Sequence, residues 1–367
     1  MKLIHIYNRL DTHCPPNLND KYPLDIGLCN QLISLVNGIL HAQDIVIVDS
    51  FLCCSLTGTI CKLGDVIDLP VTSSKLRQLG RNVSIFDRLD PLPITKAEYG
   101  VRSKWVDVTP IVHHHQKYYA DIDASKRSLN AVFRYDPCPD QKKSLRLTLA
   151  SGQQVTYAED VALLPFGHSL WHGQSYFLWY THQSDLVAYH NVFSCLTFRS
   201  EFNRIVDELL AGNQVTYCIH FRYDLGALQH WSKANEMPVD EFSGKLLTKY
   251  VDLIRKYFPI GAVIYVLGNT SIDVFQSLSD YRFVGFSSEQ KSSLTKQYLN
   301  LQGNELNAII DFLIGSRCIQ GFIGCHSLSK NRGSTFSYFL YHRLKHIPRC
   351  ILFDLDAVDD VEECYQN

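Results

Sequence analysis

No stretch of this sequence approaches the ~20 apolar residues that a membrane-spanning helix needs. Its longest apolar runs, such as Ile45–Val48 and Val263–Leu267, are strand-sized. Neither charge is in excess: 35 Lys and Arg against 37 Asp and Glu leave a net charge of −2. Both signs are spread along the chain, which gives no support for non-specific nucleic-acid binding; a bound polyanion would need a local site. There is no Cys-x-x-Cys pair among the twelve cysteines. They are scattered, and the adjacent Cys53 and Cys54 have poor geometry for bonding to each other. Disulfide scaffolds concentrate their cysteines in short secreted chains. Cys218, Cys318 and Cys325 instead lie in or beside strand-like apolar segments, where thiols act as small hydrophobes. The opening MKLIHIYNRL has one lysine and then an alternating pattern, without the apolar region of a secretory leader. These features read as a reduced, cytoplasmic protein. Internal repeats and low-complexity tracts are also missing.

What is present is a densely apolar chain, 46% hydrophobic and 12% aromatic, as in well-packed globular proteins. Its 367 residues exceed what one core supports, so two domains are expected. Residues 3–7 read as a strand, and apolar positions 32, 33, 36, 39 and 40 form a helical stripe. The β-branched run at 45–48 marks a buried parallel strand. The chain thus opens as a βαβ unit. Residues 55–195 are less regular: short strands in 57–69, a helix near 73–79, a turn at 89–93, and alternation around Pro137 and Pro139 in 130–149. They read as the rest of a first α/β domain with an irregular insertion. The amphipathic 198–210 leads out of that domain, and Gly212 stops it. The second domain alternates strands at 215–221, 262–267, 319–323 and 350–353 with helices at 239–257, 272–278 and 304–314. The expected fold is α/β, with domains 1–210 and 211–367 facing a central cleft.

Three motifs carry chemistry. His220-Phe221-Arg222-Tyr223-Asp224 stands at the C-terminal end of a strand, where open parallel sheets bind ligands. Strand alternation puts His220 and Arg222 on one face, and a guanidinium fork suits a diphosphate. The plainer alternative is an Arg222–Asp224 ion pair capping the strand. Gly27-x-x-Asn30-Gln31 is either a functional loop or a turn glycine with a capping asparagine. Ser334-Thr335-Phe336-Ser337 opens a helix within the strand–loop–helix segment 311–343. Its hydroxyls, backbone N–H groups and helix dipole converge as a phosphate would require, although a plain capping sequence looks the same.

Together, in this order, the motifs resemble the GDP-fucose-dependent fucosyltransferase superfamily, which includes the protein O-fucosyltransferase-like and the related α1,2- and α1,6-fucosyltransferases. The resemblance rests on Gly27, Asn30 and Gln31, on His220 and Arg222, and on Asp311 followed by a strand, a Phe322-Ile323-Gly324 turn and the Ser/Thr-Phe-Ser loop. It covers nearly all of the second domain but only the opening ~50 residues of the first. It implies a GT-B-like, metal-independent glycosyltransferase with two Rossmann-like domains, a GDP-sugar donor, and a glycan or glycoprotein acceptor. Arg222 would hold the β-phosphate, Asp311 would read guanine or ribose, and Ser334 to Ser337 would bind the phosphates. Asn30 would face donor and acceptor. The segment 325–333, with Lys330 and Arg332, lengthens the family's usual spacing before its Ser-Phe-Ser loop.

Departure of GDP develops charge on the β-phosphate, which Arg222 and the loop N–H groups would stabilise. Asp25 and then Asp224 are the candidate bases, although Asp25 is not in the family's register. Other GDP- or UDP-sugars, or a non-catalytic nucleotide-sugar-binding relative, are the alternatives. His113-His114-His115 reads as a polar surface strand, with i, i+2 metal binding as the alternative. The aromatic 171–180 stretch reads as core packing or sugar stacking. The acidic 354–363 tail reads as solvated.

Overall fold

The computed structural model describes residues 3–7, 27–41, 45–48, 51–54, 57, 59–87, 94–102, 104–117, 128–150, 152, 154–159, 170–172, 186–268, 270–327, 332–355, 358 and 364–365. The chain forms two compact units. The first comprises 1–22, 31–51 and 60–197; the second comprises 23–30, 52–59 and 198–367. Among the described residues no helix is long and apolar enough to cross a membrane.

In the first unit the βαβ opening is present: β1 (Leu3–Tyr7), α1 (Leu28–His41) and β2 (Ile45–Val48). Its helix buries Leu32, Ile33, Val36 and Ile39, the stripe legible in the sequence. The first three residues of α1 group with the second unit. Further along come α2 (Leu69–Gln78), capped by the Asp68 carboxylate, and β3 (Ser84–Asp87). An all-antiparallel module then replaces the expected irregular insertion. It comprises β4 (Ile94–Val101), β5 (Lys104–Asp107), α3 (Thr109–Lys117), α4 (Leu129–Phe133), β6 (Ser144–Leu149) and β7 (Gln154–Ala158). β8 (Leu170–His172) and α5 (Leu186–Cys195) follow.

One sheet of this unit is wholly parallel, in the order β8-β1-β2-β3; the other runs β5-β4-β6-β7. On β6, Leu145, Leu147 and Leu149 point into a core with Tyr99, Val112, Leu129 and Phe133, while Arg146 faces outward over the Trp105 ring. This is the two-residue period of a sheet buried on one face. Lys143 is only 4% exposed, and its ammonium donates to the Cys138 and Gln141 carbonyls and pairs with Asp136. The three-histidine run is helical rather than a strand. Successive side chains in α3 are therefore splayed about 100° apart, and His113 Nε2 bonds the Ile94 carbonyl at 2.8 Å.

The second unit has α6 (Ser200–Leu209), β9 (Tyr217–His220), α7 (Leu225–Ala234), α8 (Val239–Tyr257), β10 (Val263–Leu267) and β11 (Arg282–Val284). They are followed by α9 (Ser288–Leu299), α10 (Asn304–Ser316), β12 (Gly321–Ser327), β13 (Arg332–Gly333), α11 (Thr335–Leu344), β14 (Cys350–Asp354) and β15 (Cys364–Tyr365). Five strands, β11-β10-β9-β12-β14, are parallel neighbours and form a Rossmann-like α/β core; β15 adds antiparallel to β14.

Helix α8 shows why these residues choose this structure. Phe242, Leu246, Tyr250, Leu253 and Ile254 recur at helical spacing and all are buried. Asp240 and Glu241 begin the helix and Arg255 and Lys256 end it, each complementing the dipole. Each large apolar side chain on that face contributes about 1.5–3 kcal/mol.

Sequence and structure differ here at several elements, β11 among them. The strand expected at 319–323 begins two residues later and continues to Ser327. Phe322, Ile323 and Gly324, expected to turn, are mid-strand and pair with Cys350, Ile351 and Leu352. The β14 ladder holds all three extended, with β9 pairing Phe322 and Ile323 on the other side, while Ile319 is left exposed. The segment expected as a helix at 272–278 is a short 3-10 turn, Ile272–Phe275. Helices α7 and α9 were not anticipated, yet both carry start signals: Asp224 caps Ala227, and Ser287 with Gln290 forms a capping box.

The central strand is anchored by Tyr250, whose buried hydroxyl donates to the His220 carbonyl at 2.5 Å. Tyr250→Phe should therefore cost about 0.5–1.5 kcal/mol in urea denaturation. Tyr250→Ala, which also opens a cavity, should cost about 3–5 kcal/mol.

Candidate functional site

The C-terminal ends of β9 and β12 meet the start of α11 within the second unit. Alternation along β9 sends Tyr217 and Ile219 into the core shared with α8, as Phe221 just beyond it does. The opposite side carries Cys218, whose thiol reaches the Gly315 carbonyl of α10, and His220. His220 is 7% exposed, and its Nδ1 lies 2.7 Å from Ser337 Oγ. Its ring stacks on Phe336 at 4.5 Å and 25°. Phe336 in turn packs edge-on against Phe312.

Ser334 caps α11, its hydroxyl accepting the Ser337 N–H. Helix ends leave their first amides without intrahelical partners. Among the described residues, no partner takes the N–H of Thr335 or Phe336. Thr335 Oγ1 reaches Asn30 Oδ1 at 3.3 Å, which joins the glycine turn to the same helix start. That turn is closed by the Asn30 N–H on the Gly27 carbonyl, and the buried Glu305 accepts the Leu28 N–H at 2.5 Å. Gly324 permits the close approach of α11: a β-carbon there would lie 2.8 Å from Ser337 Oγ.

His220 is neutral. Burial first, then repulsion from Arg222, pushes its pKa down to about 3, against an opposing pull from Asp224. Arg222 lies past the strand end and is half exposed, with its Nε 2.9 Å from Asp224 Oδ2 and its guanidinium 5.9 Å from the Trp231 ring. The ion pair weighed from sequence is therefore present, and Asp224 also caps α7 through the Ala227 N–H. Partial burial would raise the Asp224 pKa, but Arg222 and that N–H together hold it below the ordinary carboxylate value.

Asp311 is placed differently. Both its oxygens take the ammonium of Lys291, at 2.7 and 2.8 Å, and the pair is buried. Tyr265 donates its phenol to Asp311 at 2.8 Å, and the Gly268 N–H approaches at 3.3 Å. The network fixes the turn after β10, where Thr270 donates to the Phe221 carbonyl. Gln31 is buried on α1 and groups with the first unit. Asp25 and Lys330 lie outside the described residues, as does most of the aromatic 171–180 stretch. The segment 325–333 begins as a continuation of β12 and returns through β13, His326 opposite Gly333.

The structure thus brings together His220, Ser334, Thr335, Phe336, Ser337 and Asn30, and holds Arg222 and Asp224 just beyond the same strand end. Glu305, Tyr250 and Lys291 support the site without having been singled out from sequence. Glu305 carries a local signal, an acidic residue in a first helical turn, but nothing in the sequence ties it to Leu28.

No protein-family model matches the chain, and neither does any curated protein. Among solved structures, a crystal structure of NodZ alpha-1,6-fucosyltransferase soaked with GDP-fucose is similar at 19% identity with a TM-score of 0.29. The match spans 49% of this chain and 51% of that one, about half the length of each.

Two outcomes follow from the electrostatics. Lys291→Met leaves a buried carboxylate uncompensated and should cost about 3–5 kcal/mol. Lys291→Met with Asp311→Leu should recover much of that loss in denaturant melts. His220, with its folded pKa depressed below the unfolded value of 6.5, contributes stability that is complete above that value. That contribution is lost as pH falls from 6.5 toward 3. His220→Gln should flatten the acid limb of the stability curve.

Proposed function

We propose that the chain is a glycosyltransferase of the GT-B type that uses a GDP-sugar, with fucose as the sugar. Transfer would go to a glycan or protein hydroxyl with inversion. One observation carries this reading: a buried His220, its Nε2 without a partner among the described residues, sits against a helix start with two N–H groups that no described residue fills, and Arg222 stands just past the strand end. Helix N-termini of this kind favour phosphate oxygens, and a half-exposed guanidinium can turn from Asp224 to a diphosphate. The resemblance of these same residues to the GDP-fucose-dependent superfamily supports the guanine and fucose specificity.

In this reading Arg222 neutralises charge developing on the β-phosphate as fucose departs, and the Thr335 and Phe336 amides hold the diphosphate. Neither role calls for a metal ion. Asp224, already committed to Arg222 and to the α7 cap, orients the guanidinium, which leaves Asp25 as the candidate base. Asn30, bonded to Thr335, would face donor and acceptor. Asp311 acts on the donor through the turn that its network holds.

Thermal-shift measurements with GDP, UDP and GDP-fucose test the donor. Stabilisation by the guanine compounds is expected, and a shift with UDP-sugars but none with GDP compounds defeats the fucose reading. Arg222→Ala should lower kcat by about 10²–10³ with an unchanged circular dichroism spectrum. Near-normal transfer by that variant would remove Arg222 from the mechanism.

A further inference from the structure

Ser337 Oγ is fully buried and has two partners, the backbone N–H of Cys325 at 3.3 Å and His220 Nδ1 at 2.7 Å. An amide N–H can only donate, so it occupies a lone pair of the hydroxyl. The hydroxyl proton then has one available acceptor, Nδ1. Nδ1 can accept only when it carries no proton, so the imidazole proton resides on Nε2. Phe336 stacked on the ring and Tyr250 on the carbonyl hold the imidazole in this orientation. Nε2–H, on a side chain more than nine-tenths buried, has no partner among the described residues.

We propose that Ser337 is a positioning residue that fixes His220 as the neutral Nε2–H tautomer, so the site offers its ligand one preset N–H donor. The complementary ligand group is an acceptor oxygen, such as a phosphate oxygen or the bridging oxygen of a diphosphate ester. This rests on the nucleotide-sugar reading for the identity of the ligand, but not for the tautomer. A charged imidazole would need a proton on Nδ1, which would turn it toward the Ser337 hydroxyl and leave that hydroxyl's own proton without an acceptor. The charged groups reaching the ring are Arg222 and Asp224 from its own segment. Cys325 on β12, its thiol pushed up to about 11 by burial, and Tyr250 on α8, held as the phenol by burial, bring no charge. The donor is therefore constant across the neutral range. An ordinary histidine would lose or gain a proton there.

The test is 15N chemical-shift NMR of the histidine rings in the ligand-free full chain, with His220 assigned by its loss in His220→Gln. The expected result is an unprotonated Nδ1 and a protonated Nε2 from pH 5 to 8 without titration. A proton on Nδ1, or a titration near pH 6.5, overturns the proposal. Ser337→Ala should abolish the single-tautomer signature and weaken GDP binding by about tenfold in calorimetry. A Ser337→Ala protein that keeps the pure Nε2–H form shows that the serine is not the lock. If the tautomer is as expected but the unaltered chain binds no GDP, the nucleotide-sugar reading fails and the lock stands. If GDP binds while Nδ1 carries the proton, the reverse holds.

Discussion

One serine hydroxyl, wedged between two parallel strands and a helix start, is the junction on which the second unit's upper rim depends. Ser337 reaches the backbone of β12 through Cys325 and the end of β9 through His220. It can do so only because Gly324 has no side chain to hold α11 away. The helix is thereby set close enough for Phe336 to cover the His220 ring and for Thr335 to meet Asn30. Each of these contacts is modest alone. They share one geometry, so moving the helix start would loosen all of them together.

The polar groups around this rim divide by solvent access. Lys291 and Asp311 are both sealed from water, and their attraction is matched against a large desolvation cost. Their net effect is to specify position: the turn after β10 cannot shift without separating them. Arg222 and Asp224 are about half exposed, so their pairing is weak and easily exchanged for another partner. The buried pair fixes the scaffold, whereas the exposed pair can be remade without disturbing it.

Much of the second unit was legible because parallel strands buried on both faces leave unbroken apolar runs. The 239–257 helix agrees to the residue, since its stripe, its acidic start and its basic end all point the same way. The first unit's antiparallel module was not legible. Although its strands alternate apolar with polar residues, β4 carries a register shift near Ile94, and prolines at 137 and 139 fall between α4 and β6. The helix over the histidine run was not legible either, because three identical polar residues have no period of their own. His220, Arg222 and the Ser334–Ser337 start could be named from local chemistry. Glu305, Lys291 and Tyr250 could not, because their roles depend on contacts 20 to 277 residues away.

The bond between Glu305 and the Leu28 N–H joins the beginning of the chain to its final third, across 277 residues. The second unit is therefore not one continuous stretch, because residues 23–30 and 52–59 belong to it. During synthesis these segments leave the ribosome before the rest of their unit and must wait for α10 before they can dock. Loop closure of this length adds only slowly to the entropy cost but delays the contact it closes. A fragment cut at residue 198 would keep every strand of the parallel core yet lose the Gly27 turn and Asn30. The second unit of this protein is thus completed by a segment that is made before most of it.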